Sequence, residues 1–217
     1  MKASHRIDRR PTSGLGGYDD GYVACPCFWG KQPSSLVSFY LSRHEVPEGC
    51  RVLDAGCGDG RNAQAFARRG ADVLAIDISQ LAIERATAAW PEISVNWCQT
   101  DIREAEFDAR SFDVIVAYGI LHCLRGPEEL AETIEKFRAA TNAGGYNIVC
   151  AFNERRQELD DAHPGFGPCL MPHSYYLRAY EDWLIEEASD RDLFESHPHN
   201  RIPHVHSMTR LLARKPD

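Results

Sequence analysis

The chain has 217 residues, with 24 Lys+Arg against 32 Asp+Glu, a formal charge of −8. Hydrophobic residues make up 43% and charged residues 26%, a globular balance that excludes disordered and fibrous classes. The acidic excess argues against nucleic acid or an anionic membrane as partner, and apolar runs such as Val114–Ala117 fall far short of a bilayer span.

Residues 1–17 carry Lys2, Arg6, Arg9 and Arg10 with no apolar stretch behind them, which reads as a flexible arm and not as a secretory signal. The eight cysteines are accordingly read as reduced thiols of a cytoplasmic protein, with Cys98, Cys123 and Cys150 acting as small hydrophobes in apolar runs. A single domain is expected over 18–217. Its first part, Tyr18 to Pro33, is rich in aromatics, Gly and Cys without a clean period and reads as a loop or lid. Ser34 to His44 reads as a short helix.

From residue 51 strands and helices alternate. Arg51–Ala55 is a buried strand, followed by Gly56-Cys57-Gly58-Asp59-Gly60 and a helix with Ala63, Phe66, Ala67 and Gly70 on one stripe. Asp72–Ile76 is the second strand, ending at Asp77. Ser79 caps a helix that presents Ile83, Ala86 and Trp90, and Ser94–Cys98 is the third strand. Phe112–Ala117 is the fourth. Gly126-Pro127 opens a helix with Leu130, Ile134 and Phe137 buried, and Asn142–Gly145 stops it. Tyr146–Phe152 is the fifth strand. Trp183–Ala188 and Val205–Ala213 are two further strands, too closely connected for a parallel crossover, so an antiparallel final hairpin is expected. The whole is an α/β, Rossmann-like fold: a seven-stranded, mostly parallel sheet with helices on both faces.

The glycine loop lies between a strand and a helix, where backbone N–H groups can approach a ligand closely. Its G-x-G-x-G spacing lacks the third glycine of the dinucleotide fingerprint, since Arg61 stands there, which disfavours nicotinamide-dependent chemistry. Asp54 precedes it by two positions. A carboxylate is unhelpful beside a pyrophosphate but suits a cationic ligand such as S-adenosylmethionine. Asp77 is placed to accept from both ribose hydroxyls, and Asp101 with the backbone of Ile102 to read adenine. The competing reading is that these acids only cap helices and turns.

The run Val52–Ser79 resembles the first two motifs of class I S-adenosylmethionine-dependent methyltransferases, and Arg51–Phe152 is similar to that fold throughout. More narrowly, Cys57–Asn62, Gly144–Ile148, Tyr176–Trp183 and Leu212–Lys215 resemble the tellurite-resistance (TehB-like) family. The resemblance implies S-adenosyl-L-methionine as cofactor and S-adenosyl-L-homocysteine as product. It implies a lid over 18–45 in which Tyr22, Trp29 and Gly30 meet the cofactor. Gly56, Cys57, Gly58, Arg61, Asn62, Ile78, Ala117 and Tyr118 complete the expected cofactor set with Asp54, Asp77, Asp101 and Ile102. It also implies a His and an Arg near the acceptor, matched by His197 and Arg201.

The implied acceptor is a small soft nucleophile: a thiol, a selenol, or an oxyanion such as tellurite or selenite. Such an anion needs no strong base, whereas an alcohol or amine does. His122, after the fourth strand, is therefore base, pocket wall or filler. The alternatives are an O- or N-methyltransferase of a small metabolite and, from another class, a non-catalytic S-adenosylmethionine-binding protein. Partners are a small acceptor, no nucleic acid and no membrane, in a monomer or homodimer. The pairs His197/His199 and His204/His206 stand without a spacing-matched Cys or carboxylate, so they read as a polar rim or solvated loop, with no metal assigned. Cys25 and Cys27 read as lid cysteines.

Overall fold

The computed structural model describes residues 18–198 and 201–217, so the expected arm over 1–17 and His199 lie outside the described residues. Five parallel strands make the body of one sheet: β1 (Arg51–Ala55), β2 (Asp72–Asp77), β3 (Asn96–Gln99), β4 (Phe112–Tyr118) and β5 (Thr141–Gln157). Strands β6 (Leu184–Glu195) and β7 (His204–Arg214) form the expected antiparallel hairpin, and β7 inserts between β5 and β6. The spatial order is β3-β2-β1-β4-β5-β7-β6.

The sheet's two faces follow from the alternation of side chains along each strand. Leu53, Ile115, Val149 and Leu211 pack beneath α5 (Pro127–Ala140) and α6 (His173–Ala179), through Leu130, Ile134, Phe137 and Tyr176. Val52, Val73, Val114 and Leu212 meet the other layer, α2 (Ser35–Arg43), α3 (Ala63–Ala67) and α4 (Gln80–Ala89). With both faces covered, β1 is buried from Val52 to Ala55, which explains its uninterrupted apolar reading. Ser79 caps α4 as expected, its hydroxyl accepting from the Ala82 N–H at 3.1 Å. Pro127 sits at the start of α5.

Three expectations need correction. Tyr18–Ala24 is a helix, α1, and not loop throughout. The fifth strand does not start at Tyr146: the helix ends at Ala140, before Asn142–Gly145, and the chain enters β5 at once at Thr141. Gly145 allows this, because a Cβ there would lie 2.8 Å from the Asp113 carbonyl oxygen of the neighbouring strand. His204 and His206 do not lie in a solvated loop; both are buried in β7. Among the described residues no helix is long and apolar enough to cross a membrane.

Candidate active site

A cleft of about 1100 Å³ opens over the carboxyl ends of β1, β2 and β4 and extends to the β6–β7 hairpin. The glycine loop forms one end. The N–H groups of Gly56 and Cys57 both reach the Ile76 carbonyl at 2.9 Å, and the Gly58 N–H donates to Asp77 Oδ2 at 2.8 Å. Gly58 has φ of +56°, and a Cβ there would lie 2.8 Å from the Tyr22 hydroxyl. The loop is thus held by β2 and covered by the aromatic segment of α1 and the turn after it.

That segment is latched to the residues just beyond the loop. Asp59 Oδ2 accepts from the Trp29 N–H at 2.9 Å, Asn62 Oδ1 accepts from the Ser34 N–H at 2.9 Å, and Arg61 donates to the Trp29 carbonyl at 2.9 Å. The side chains of Arg61 and Asn62 therefore hold the cover. Trp29 Nε1 donates to the Tyr22 hydroxyl at 3.0 Å, aligning two of the rings that line the cleft.

Of the cofactor residues expected from sequence, all but Asp54 and Ala117 line the cleft. Asp54 lies buried below the loop, where desolvation pushes its carboxyl up to about 7 against the opposing Ala63 N–H; its Oδ2 has no hydrogen-bond partner. Asp77 is half-buried at the end of β2, and desolvation raises its pKa although N–H groups of Ser79 and Gly58 pull the other way. Each Asp77 oxygen accepts one backbone N–H, leaving a lone pair on each for a further donor. Asp101 is paired with Arg103, which lowers its pKa.

This end fits an adenosyl ligand with a cationic centre. The cradle admits a ligand backbone-close only because Gly58 has no Cβ. Asp77 brings a carboxylate to it, which suits a sulfonium or an ammonium and disfavours a phosphate.

The other end is built from side chains of distant segments. His122, in a 3-10 turn over Leu121–Cys123, is buried, and its Nδ1 accepts from the Phe152 N–H at 3.1 Å. A backbone N–H can only donate, so Nδ1 is bare and the neutral ring carries its proton on Nε2, which has no partner. Desolvation, with His163 nearby, pushes the pKa of His122 down to about 3. His122 is thus fixed as a hydrogen-bond donor, and its reading as a base is corrected. Phe152 stacks between His122 and His206, with ring centroids 3.9 and 4.1 Å away.

His197 lines the cleft beneath Phe28 and Trp29, as expected for an acceptor-side residue. Arg201 does not. It is exposed, at φ of +54° in the β6–β7 connection, with its N–H bonded to the His197 carbonyl. A basic group from the hairpin that does line the cleft is Arg210 on β7, whose buried Nε has no hydrogen-bond partner. Sequence reasoning missed Arg210, Met208 and His163. Two of these were within reach: His204, His206, Met208 and Arg210 are separated by two residues each and share one face of a strand.

Residues 52–145 match the family described as a methyltransferase domain. Among curated proteins, the chain is 29% identical over 149 residues to the probable S-adenosyl-L-methionine-dependent methyltransferase TehB of Haemophilus influenzae, covering 65% of this chain and 48% of that one. It is 40% identical over 94 residues to the ubiquinone biosynthesis O-methyltransferase of Hahella chejuensis, covering 42% of this chain and 39% of that one. The chain spans about half the length of the first curated relatives it matches. The solved structure of TehB from Haemophilus influenzae shares the fold, with a TM-score of 0.67 at 21% identity over 83% of this chain and 61% of that one.

Proposed function

We propose that this chain, whose residues 52–145 are a methyltransferase domain of class I fold and TehB-like in sequence, transfers a methyl group from S-adenosylmethionine to a small soft nucleophile, a thiol, selenol or chalcogen oxyanion. The observation that carries the choice of acceptor is His122. Its Nδ1 is occupied by a backbone N–H, so it offers a donor to the cleft and not a base. With the guanidinium of Arg210 lining the same cleft, that end favours a molecule arriving as an anion.

S-adenosylmethionine, when bound, supplies an electrophilic methyl group on a sulfonium. Asp77 would hold the ribose hydroxyls, and Asp101 and the Ile102 backbone would face the adenine. Tyr22, Phe28 and Trp29 exclude water from the cleft, with 18–45 acting as a lid. Arg210 and the His122 Nε2–H orient the acceptor.

A second reading, an O- or N-methyltransferase, is favoured by Glu195, which lines the cleft with its pKa raised by burial and could take a proton. An acceptor panel of thiols, selenite, tellurite, phenols and amines, followed by S-adenosylhomocysteine release, separates the two. Turnover with a thiol or chalcogen oxyanion is expected; methylation of phenols or amines alone, abolished by Glu195→Gln, establishes the second reading.

A further inference from the structure

The acceptor end holds more imidazole than the orientation of an anion requires. His163, from the loop after β5, and His197, His204 and His206, from the hairpin, gather their rings against Glu195 at the end of β6. His163 Nε2 lies 3.1 Å from His197 Nε2 and 3.3 Å from His206 Nε2. Glu195 Oε1 lies 3.7 Å from the Nε2 atoms of both His204 and His206 and 3.9 Å from that of His197.

The second ring nitrogens decide what these inward atoms are. His204 Nδ1 faces the Ile202 carbonyl at 2.7 Å, so it carries the proton and donates it. His206 Nδ1 faces Gln157 Oε1 at 2.8 Å. The amide of Gln157 cannot be turned round, because its Nε2 donates to the carbonyls of Asn153 at 2.7 Å and Ser207 at 2.9 Å. His206 Nδ1 therefore also carries its proton. Both rings present a bare Nε2 lone pair to the centre of the cluster. That of His204 is buried with no partner, on a side chain only 2% exposed.

Two bare lone pairs, of His204 and His206, and a carboxylate oxygen of Glu195 converge there, an arrangement that suits a cation. Ligand atoms 2.0–2.2 Å from one ion stand about 3.0–3.5 Å apart. The five spacings run from 3.1 to 3.9 Å, close to that range, and the cluster falls into two overlapping groups with ligand atoms within 4.8 Å, His163–His204–His206 and Glu195–His197–His204. A donor proton on Nδ1 held by a carbonyl or amide oxygen is the arrangement that orients a histidine as a ligand through Nε2.

We infer that His204, His206, His163 and Glu195, with His197 beside them, form a binding site for one divalent first-row transition-metal ion at the acceptor end of the cleft. Imidazole nitrogens with a single carboxylate suit zinc, iron, cobalt or nickel, and not magnesium or calcium, which take oxygen shells. His204 and His206 lie behind the cleft wall, while His163, Glu195 and His197 line the cleft. A molecule in the cleft reaches the ion from that side. On the methyl-transfer reading, which this consequence rests on, the acceptor's anionic sulfur or oxygen would be a further ligand of the ion.

The test is a titration of the chelator-stripped full chain with cobalt(II), followed by visible absorption, with zinc(II) competition and metal analysis. One equivalent is expected, with the d–d bands of an ion bound by nitrogen and oxygen. His204→Ala should weaken binding by at least 100-fold and Glu195→Gln by about tenfold, while Gln157→Leu, which frees the His206 ring, should weaken it by about 10–100-fold. S-adenosylhomocysteine affinity, measured by calorimetry on the same samples, should stay within about twofold and reports that the variants are folded. If His204→Ala fails to fold, Glu195→Gln, on a partly exposed side chain, decides. Absence of binding by the unaltered protein, or equal binding by folded variants, overturns the site. Cobalt binding without any S-adenosylhomocysteine binding leaves the metal site standing and removes the methyl-transfer reading instead.

Discussion

The cleft's two ends are made of different material. At the glycine loop the ligand meets backbone without side chains and an Asp77 carboxylate set by backbone bonds, mostly within Gly56–Asp77, with Asp101 and Ile102 just beyond β3. At the hairpin they are side chains from five separate segments, around His122, Phe152, His163, Glu195–His197 and His204–Arg210. The first kind of site depends on the absence of side chains and serves one ligand shape. The second depends on which side chains a strand presents, so it can change specificity by substitution while the first end stays fixed.

The sharpest way to break the first end is Gly58→Val. The added side chain meets Tyr22 and Trp29 and forces a β-branched residue to φ of +56°, so S-adenosylmethionine affinity in calorimetry should fall beyond about 100-fold, far more than for any substitution at the hairpin. Asp77→Ala should cost about 2–4 kcal/mol of that affinity by removing two charge-assisted hydrogen bonds; unchanged affinity would remove Asp77 from the ribose site. At the other end, Arg210→Met keeps a long side chain opposite Cys150 of β5 but loses the charge. It should raise the acceptor KM about tenfold with kcat little changed, while exposed Arg201→Ala does neither.

The smallest effects, and the most specific, are in pH. The Asp54 carboxyl, pushed from 3.8 up to about 7, holds a proton in the fold that the unfolded chain has released, so its contribution to stability declines as pH rises across that window. His122, pushed from 6.5 down to about 3, is neutral in the fold while the unfolded chain is protonated, so its contribution grows with pH between those values. The two slopes, each up to about 1.4 kcal/mol per pH unit, oppose one another between 3.8 and 6.5. Removing one exposes the other. In urea unfolding across pH 4–7, Asp54→Asn should gain stability relative to the unaltered protein as pH rises, and His122→Asn, whose amide oxygen can still accept from the Phe152 N–H, should lose it. Parallel curves would show that neither group is perturbed.

The same contrast governs what could be read from the sequence. The glycine loop, Asp77 and the strands β1 and β2 are legible because each is fixed by neighbours a few residues away: alternation, a cap, a turn. Helix α1 was not, because YDDGYVA has no apolar period of its own; it is held from outside, by Ser79 Oγ on Asp19 at 2.5 Å and Arg85 on the Tyr22 carbonyl at 2.9 Å. The Gly-rich start of β5 read as a break because close backbone approach, like a turn, asks for glycine. His163 meets His206 across 43 positions of chain, and no spacing rule joins them. Arg201 rests on family resemblance alone, whereas strand alternation from His204 and His206 leads to Arg210.

The cover touches both ends at once. Trp29 is tied through its N–H to Asp59, and its ring and that of Phe28 lie 6.0 and 5.3 Å from His197. One hinge therefore controls two gates. When the latch at Asp59 and Asn62 releases, the spent nucleoside and the imidazole end are opened to solvent by the same movement. On the proposed methyl-transfer function, release of one molecule and entry of the next are expected to need the same opening, and exchange of the Trp29 and Ser34 amide hydrogens measures how readily the latch opens.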